Sequence, residues 1–228
     1  MPEEKQCRSC ADCGLIGCTM GDKRYPEFCL TAGLDERELA ETVALYINNR
    51  VNKKIALAAA EVEGGFYGRL TRVEEIMEFA RRIGAKKIGI ATCVGLMAES
   101  RTFAKMLRAH GFEVYGAACK VGAVKKPEIG IGEAYIMREG ESMCNPIMQA
   151  KLLNKAKTDL NVVVGLCVGH DSLFYKYSKA ATTTLITKDR LTCHNPAAPL
   201  YLTDSYYKKL LQGDWPQETS KKLPDREP

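Results

Sequence analysis

The chain has 228 residues, 46% of them apolar and 27% charged, with a formal charge of +5 and ten cysteines. That size suits one large domain, or a core domain with small appendages. The longest mainly apolar stretch, around residues 88–98, is too short to span a bilayer, and the first residues lack an apolar signal region, so a cytoplasmic protein with no membrane partner is expected.

The positive charge overstates the basicity, because it counts every cysteine as a neutral thiol. Metal-bound cysteines are thiolates, and a tetrathiolate site around zinc or a four-iron cluster carries about −2. Two such sites leave a net charge of roughly +1, which argues against nucleic acid as a partner. In a reducing compartment a cysteine-rich chain binds metal or does thiol chemistry rather than building disulfides.

Residues 1–33 form a cysteine-rich segment with Cys7, Cys10, Cys13, Cys18 and Cys29, and with Gly14, Gly17, Gly21 and Pro26 between them. So little apolar surface cannot hold a fold without a metal or a docking partner. The run C-x2-C-x2-C-x4-C suits an iron–sulfur cubane of the 4Fe-4S type, in which successive thiolates bind different irons. Zinc is the alternative, although it more often takes two separate C-x2-C knuckles. The bacterial ferredoxin run has x3 before its last cysteine and a proline after it. Here the gap is x4, and Thr19 follows Cys18.

Residues 34–212 read as an α/β core. Asp35 with Glu38 marks a helix start, and Leu39, Val43, Tyr46 and Ile47 share one face. A second helix is expected over about residues 53–62, closed by a turn at Gly64-Gly65. Thr71-Arg72-Val73-Glu74 is a capping box, opening a helix striped by Val73, Ile76, Met77, Ala80 and Ile83 and stopped by Gly84. A strand at 87–92 leads to Cys93 and a helix ending near His110. A strand at 112–117 leads to Cys119, a Gly- and Lys-rich loop, and a short strand expected at Tyr135-Ile136-Met137. Asn145 and Pro146 start another helix. A strand at 162–166 leads to Cys167, a helix across 171–181 and a strand at 184–187. Residues 213–228 read as a flexible tail. The alternation predicts a mainly parallel sheet with helices on both faces, Rossmann-like or flavodoxin-like.

Cys93 and Cys119 are 26 residues apart, as are Cys167 and Cys193, and Cys-Val-Gly stands at both Cys93 and Cys167. Ligands of open α/β sheets bind beyond the carboxyl ends of strands. Cys93, Cys119, Cys144, Cys167 and Cys193 are therefore candidate cofactor ligands or redox thiols. Cys93, Cys144 and Cys167 each precede a helix, where the dipole favours thiolate. The bland alternative is packing, since free cysteine is among the most buried residue types. His170 and His194 are candidate ligands or proton carriers, whereas His110 reads as a helix C-cap. The loop from Lys120 to Lys126 matches no phosphate-binding fingerprint. It reads as solvated surface, with an anionic small-molecule pocket as the alternative.

The Cys7-x2-Cys10-x2-Cys13-Gly14 opening, the Tyr25-Pro26-x-x-Cys29 element, the two Cys-Val-Gly turns and Cys193-His194-Asn195-Pro196 together resemble a cysteine-rich family of unknown function, DUF1847. That family is described as metal-binding and is found mainly in archaea and anaerobic bacteria. The resemblance covers about residues 5–205. It implies metal binding and an anaerobic setting, and it implies no reaction or substrate. The functional expectation is a metal-binding redox protein, carrying an iron–sulfur cluster and serving a redox partner or reducing a small molecule at the sheet edge. The rival is a structural zinc protein that binds a ligand or partner without catalysis.

Overall fold

The computed structural model describes residues 8–22 and 24–213. Cys7 and all of the expected tail beyond Gly213 lie outside the described residues. The chain separates into two compact units, Met1–Glu61 and Val62–Pro228, and the division falls inside a helix.

In the first unit, short 3-10 turns at Cys10–Asp12 and Gly17–Thr19 precede α1 (Glu36–Asn48). Asp35 caps α1 by accepting from the Glu38 N–H at 2.9 Å. The expected stripe of Leu39, Val43, Tyr46 and Ile47 is exposed. Helix α2 spans Arg50–Phe66, longer at both ends than the 53–62 expected from sequence. At its start Asn49 accepts from the N–H groups of Val51 and Asn52 at 3.0 and 3.1 Å. At its end Arg82 stacks 5.9 Å from the Phe66 ring centroid. That stacking anchors the last turn, so Gly64-Gly65 is helical despite a cost of about 1 kcal/mol per glycine relative to alanine.

The second unit is an α/β sandwich. Its elements are α3 (Arg72–Arg82), β1 (Lys87–Thr92), α4 (Met97–Ala109), β2 (Glu113–Ala118), α5 (Pro146–Lys155), β3 (Leu160–Val164), α6 (His170–Tyr177) and β4 (Ala181–Ile186). The four strands are all parallel, in the order β2-β1-β3-β4. The chain steps outward from β1 to β2 and then returns past β1 to β3 and β4. Right-handed crossovers running in opposite directions put their helices on opposite faces. Ile88, Ile90, Val162 and Val164 accordingly pack with Ile76, Met77, Phe103 and Leu107 of α3 and α4. The alternate positions Ala91, Val163 and Ala117 pack with Ala150, Leu153 and Phe174 of α5 and α6. Among the described residues no helix is long and apolar enough to cross a membrane.

Besides α2, strands β3 and β4 begin two and three residues earlier than the 162–166 and 184–187 expected, and two further elements differ. The strand at Tyr135-Ile136-Met137 does not form; the chain makes a 3-10 turn at Glu133–Tyr135, and the Lys126 ammonium takes the Tyr135 carbonyl at 2.7 Å. Helix α6 stops at Tyr177 rather than at 181. Beyond it Ser178 turns its hydroxyl to the Ala180 carbonyl at 3.0 Å and receives the buried Asn161 amide at 2.8 Å, a local alternative to helical bonding.

Gly165 joins β3 to Cys167 with φ +66, and a Cβ there would drive into Leu96 Cδ1. Gly165→Ala therefore combines backbone strain with a core clash and should lower the unfolding free energy by about 2–4 kcal/mol. Urea denaturation measures this, and an unchanged midpoint would contradict the packing.

Candidate functional site

Strands β1 and β3 are neighbours, and strand order reverses between them, which makes their carboxyl ends the switch point where α/β sheets bind ligands. Cys93 directly follows β1, and its N–H continues the pairing to the Val164 carbonyl at 3.0 Å. Cys167 follows β3 through the Gly165 turn. Cys119 directly follows β2, with its N–H on the Thr92 carbonyl at 2.8 Å. Its own carbonyl accepts from the Asn145 N–H at 2.6 Å, which draws Cys144 to the same edge. Asn145 and Pro146 start α5 as the sequence predicts, with Asn145 Oδ1 accepting from Met148 N–H at 3.1 Å.

The four sulfurs form a row. Cys119 and Cys167 both stand near enough to Cys93 to perturb its thiol. Cys144 Sγ lies 3.8 Å from Cys119 Sγ, and His170 stands near enough to Cys144 to perturb its thiol. The Val94 N–H donates to Cys119 Sγ at 3.4 Å, and Arg190 Nη2 donates to Cys167 Sγ at 3.0 Å. Lys188 stands beside Cys93: a Cβ on Gly95 would lie 3.6 Å from Lys188 Nζ and 3.8 Å from Cys93 Sγ. Cys93 and Cys119 are buried, while Cys144 and Cys167 are partly exposed.

Neighbouring sulfurs in this arrangement shift one another's titration in opposite directions. Hydrogen bonds from Cys119 and then Cys167 hold the Cys93 thiol far below its usual range, with Lys188 adding to them and burial opposing. Cys119 and then His170 push Cys144 down to about 4, with Lys120 adding. Cys119 is pushed up by the neighbouring Cys144 and Cys93 sulfurs and by burial. Cys167 is pushed up by its bond to Cys93 and by burial, against the pull of Arg190. His170 is raised by the Cys144 sulfur.

The row lines a cavity of about 400 Å³, whose far wall is the loop between β2 and α5. Beneath it Gln149, fully buried on α5, donates its Nε2 to the Thr92 carbonyl at 3.1 Å and the Ala117 carbonyl at 2.6 Å. The sequence reading did not single out Gln149, although its spacing from Pro146, Ala150 and Leu153 puts a polar side chain on the buried face of α5. Arg190 and Lys188 carried no such signal, lying in a loop 21 or more residues beyond Cys167.

Cys193 does not join the row. It is exposed, and it and His194 adopt left-handed conformations at φ 52 and 66. His194 is turned into its own loop, with Nδ1 accepting from the Asp189 N–H at 3.1 Å. The equal 26-residue spacing is therefore not equal geometry: β2 runs straight into Cys119, whereas a turn over residues 189–195 separates Cys193 from β4.

In the first unit Cys10, Cys13, Cys18 and Cys29 all line one small cavity of about 80 Å³. Gly17 is the only buried residue described in 8–33. It must be glycine, because a Cβ would strike the Arg24 carbonyl. The Ala32 N–H holds the Cys29 thiol below its usual range. Among the described residues, no group of three or more His, Cys, Asp or Glu side chains is placed so that it could hold a metal ion. Two sets of four cysteines nevertheless each line one cavity, and thiolate is the donor type that zinc and iron–sulfur clusters take.

Comparison with known proteins matches the family described as protein of unknown function (DUF1847) over residues 29–185. That span includes all four cysteines of the row. The chain is 46% identical over 187 residues to the uncharacterised protein MJ0455 of Methanocaldococcus jannaschii, covering 82% of this chain and 95% of that one. Among solved structures it is similar to Dph2 from Pyrococcus horikoshii with a 4Fe-4S cluster, at 15% identity and a TM-score of 0.35. The match covers 63% of this chain and spans 33% of that protein's length. A likeness so slight carries no argument about chemistry.

A thiol pushed down to about 4 keeps its thiolate above that pH and loses it only as the pH falls through it. In the reduced, metal-stripped chain Cys144 should therefore react with iodoacetamide nearly as fast at pH 6 as at pH 8, whereas an ordinary thiol is about 1% thiolate or less at pH 6. Peptide mapping reads the rate, and a tenfold slowing per pH unit would contradict the lowered Cys144 thiol.

Proposed function

The chain belongs to the DUF1847 family, and from that membership and the geometry above we propose that it is a cytoplasmic metal-thiolate redox protein. Cys93, Cys119, Cys144 and Cys167 hold an iron–sulfur cluster of the 4Fe-4S type at the carboxyl edge of the sheet. Cys10, Cys13, Cys18 and Cys29 hold a second metal. When bound, such a cluster supplies a one-electron couple for a redox partner or a small molecule.

One observation carries the reading: four separate elements each deliver one cysteine to the same cavity, at the fold's ligand-binding edge. Cysteines that merely pack as small hydrophobes do not need to meet one another, and thiolates that meet repel. Here Lys120, Lys188 and Arg190 offset that repulsion. The Val94 N–H and Arg190 also donate to the sulfurs, contacts of the kind that tune a thiolate centre's potential. Gln149 holds the ends of β1 and β2 in step, and the loop between β2 and α5 walls the cavity that the row lines.

Zinc is the second reading, favoured by the 3.8 Å between Cys119 and Cys144, the separation expected of two thiolates on one tetrahedral zinc with bonds of about 2.3 Å. The protein would then be a structural zinc module that binds a ligand or partner without catalysis.

Anaerobic purification followed by iron, sulfide and zinc analysis separates the two. The iron–sulfur reading expects brown protein whose iron and sulfide fall in the Cys93→Ser/Cys167→Ser variant. It expects a further loss when Cys10 and Cys13 are also replaced. Colourless protein with zinc, no sulfide and no response to Cys93→Ser/Cys167→Ser would sink it.

A further inference from the structure

Helix–strand links in an α/β fold are usually about 2–6 residues long, and structureless loops beyond about 12–15 are uncommon and often functional. The link from β2 to α5 runs through residues 119–145 with only short 3-10 turns. It is nonetheless well knit. The Met143 N–H bonds to the Val124 carbonyl at 2.8 Å, Lys125 Nζ to the Gly140 carbonyl at 2.7 Å, and Lys126 Nζ to Glu141 at 2.8 Å. Its inner side chains do not fill the core. Ile129 and Met137 of the loop, with Val94 and Leu173 opposite, line the cavity while remaining 57%, 43%, 44% and 39% exposed. Apolar side chains grouped around a concave space of about 400 Å³ mark a small-molecule site. A metal held by the thiols alone does not account for them.

The polar wall sets the ligand's charge. Lys120 and Lys126 share the single carboxylate of Glu141, at 3.5 and 2.8 Å. Arg190 gives one N–H to Cys167, and its planar guanidinium carries five N–H donors in all. Among the described lining residues Lys120, Lys126 and Arg190 stand against the one carboxylate of Glu141, an excess that a tetrathiolate centre of about −2 just balances; the Arg190 and Lys126 donors then select an acidic head locally.

The geometry points to a binding subsite for a small organic anion, an acidic head on an apolar body, between the β2–α5 loop and the thiol row. Arg190 and Lys126 receive the acidic head, and Ile129, Met137 and Leu173 receive the body. The inference rests on the reading of the row as a redox centre, and names the class of molecule that would be its substrate.

Three probes test it on the anaerobically purified full chain by isothermal titration. They are phenylacetate, its uncharged near-isostere phenylacetamide, and acetate, which has the charge without the body. Phenylacetate should bind saturably, about tenfold or more tighter than either of the others, since a charge-assisted hydrogen bond and a buried ring each contribute on that scale. Arg190→Gln should remove most of the preference for acid over amide, and Lys126→Gln should reduce it. Equal affinity for acid and amide, acetate binding as tightly as phenylacetate, no saturable binding of phenylacetate, or an undiminished preference in both variants would each overturn the subsite. Iron, sulfide and zinc are counted on the same samples. Metal-free protein that still prefers the acid would defeat the redox centre and leave the subsite standing.

Discussion

Parallel strands end together, and at the carboxyl edge of this sheet three strand ends are held in step by backbone and one buried amide. The Cys119 N–H reaches Thr92, the Cys93 N–H reaches Val164, and Gln149 donates to both Thr92 and Ala117. Every property of the site depends on that alignment. It brings cysteines 26, 25 and 23 residues apart in the chain to one line, where no local structure could place them. Gln149 Oε1 has no partner among the described residues, and such a buried orphan acceptor costs about 1–3 kcal/mol. The same amide's two donated bonds, and the core of Ala150, Leu153 and Phe174 around it, offset that cost.

Electrostatics makes the row unusual. Four thiols in contact cannot all ionise in a partly buried site without compensation. The chain sets cations beside the sulfurs from two places: Lys120 after β2, and Lys188 and Arg190 after β4. In the proposed thiolate centre these cations offset the charge of the sulfurs.

The sequence carried the architecture well, because hydrophobic period and capping chemistry are local. Thr71 and Glu74 form the expected reciprocal box, Asn145 caps α5, and alternate residues of β1 and β3 divide between two cores as the parallel-sheet reading requires. Cys93, Cys119, Cys144 and Cys167 were legible because each stands at a recognisable strand end or helix start. Cys193 misled, since sequence spacing cannot register the turn that follows β4. The expected strand at 135–137 failed because strand formation needs a partner, and Lys126 had already taken the Tyr135 carbonyl. Arg190 and the apolar lining of the β2–α5 loop were invisible, their roles arising only from contacts across the sheet edge. The helix at 53–62 was drawn too short because Phe66 is anchored by Arg82, a residue outside any local window.

The central claim is that the four aligned sulfurs share one metal centre. Anomalous diffraction from crystals of anaerobically purified protein, collected on both sides of the iron and zinc edges, tests it most directly. The account predicts an iron peak enclosed by Cys93, Cys119, Cys144 and Cys167. Crystals of metal-bearing protein whose only peak lies among Cys10, Cys13, Cys18 and Cys29, with four unligated thiols at the sheet edge, would contradict it.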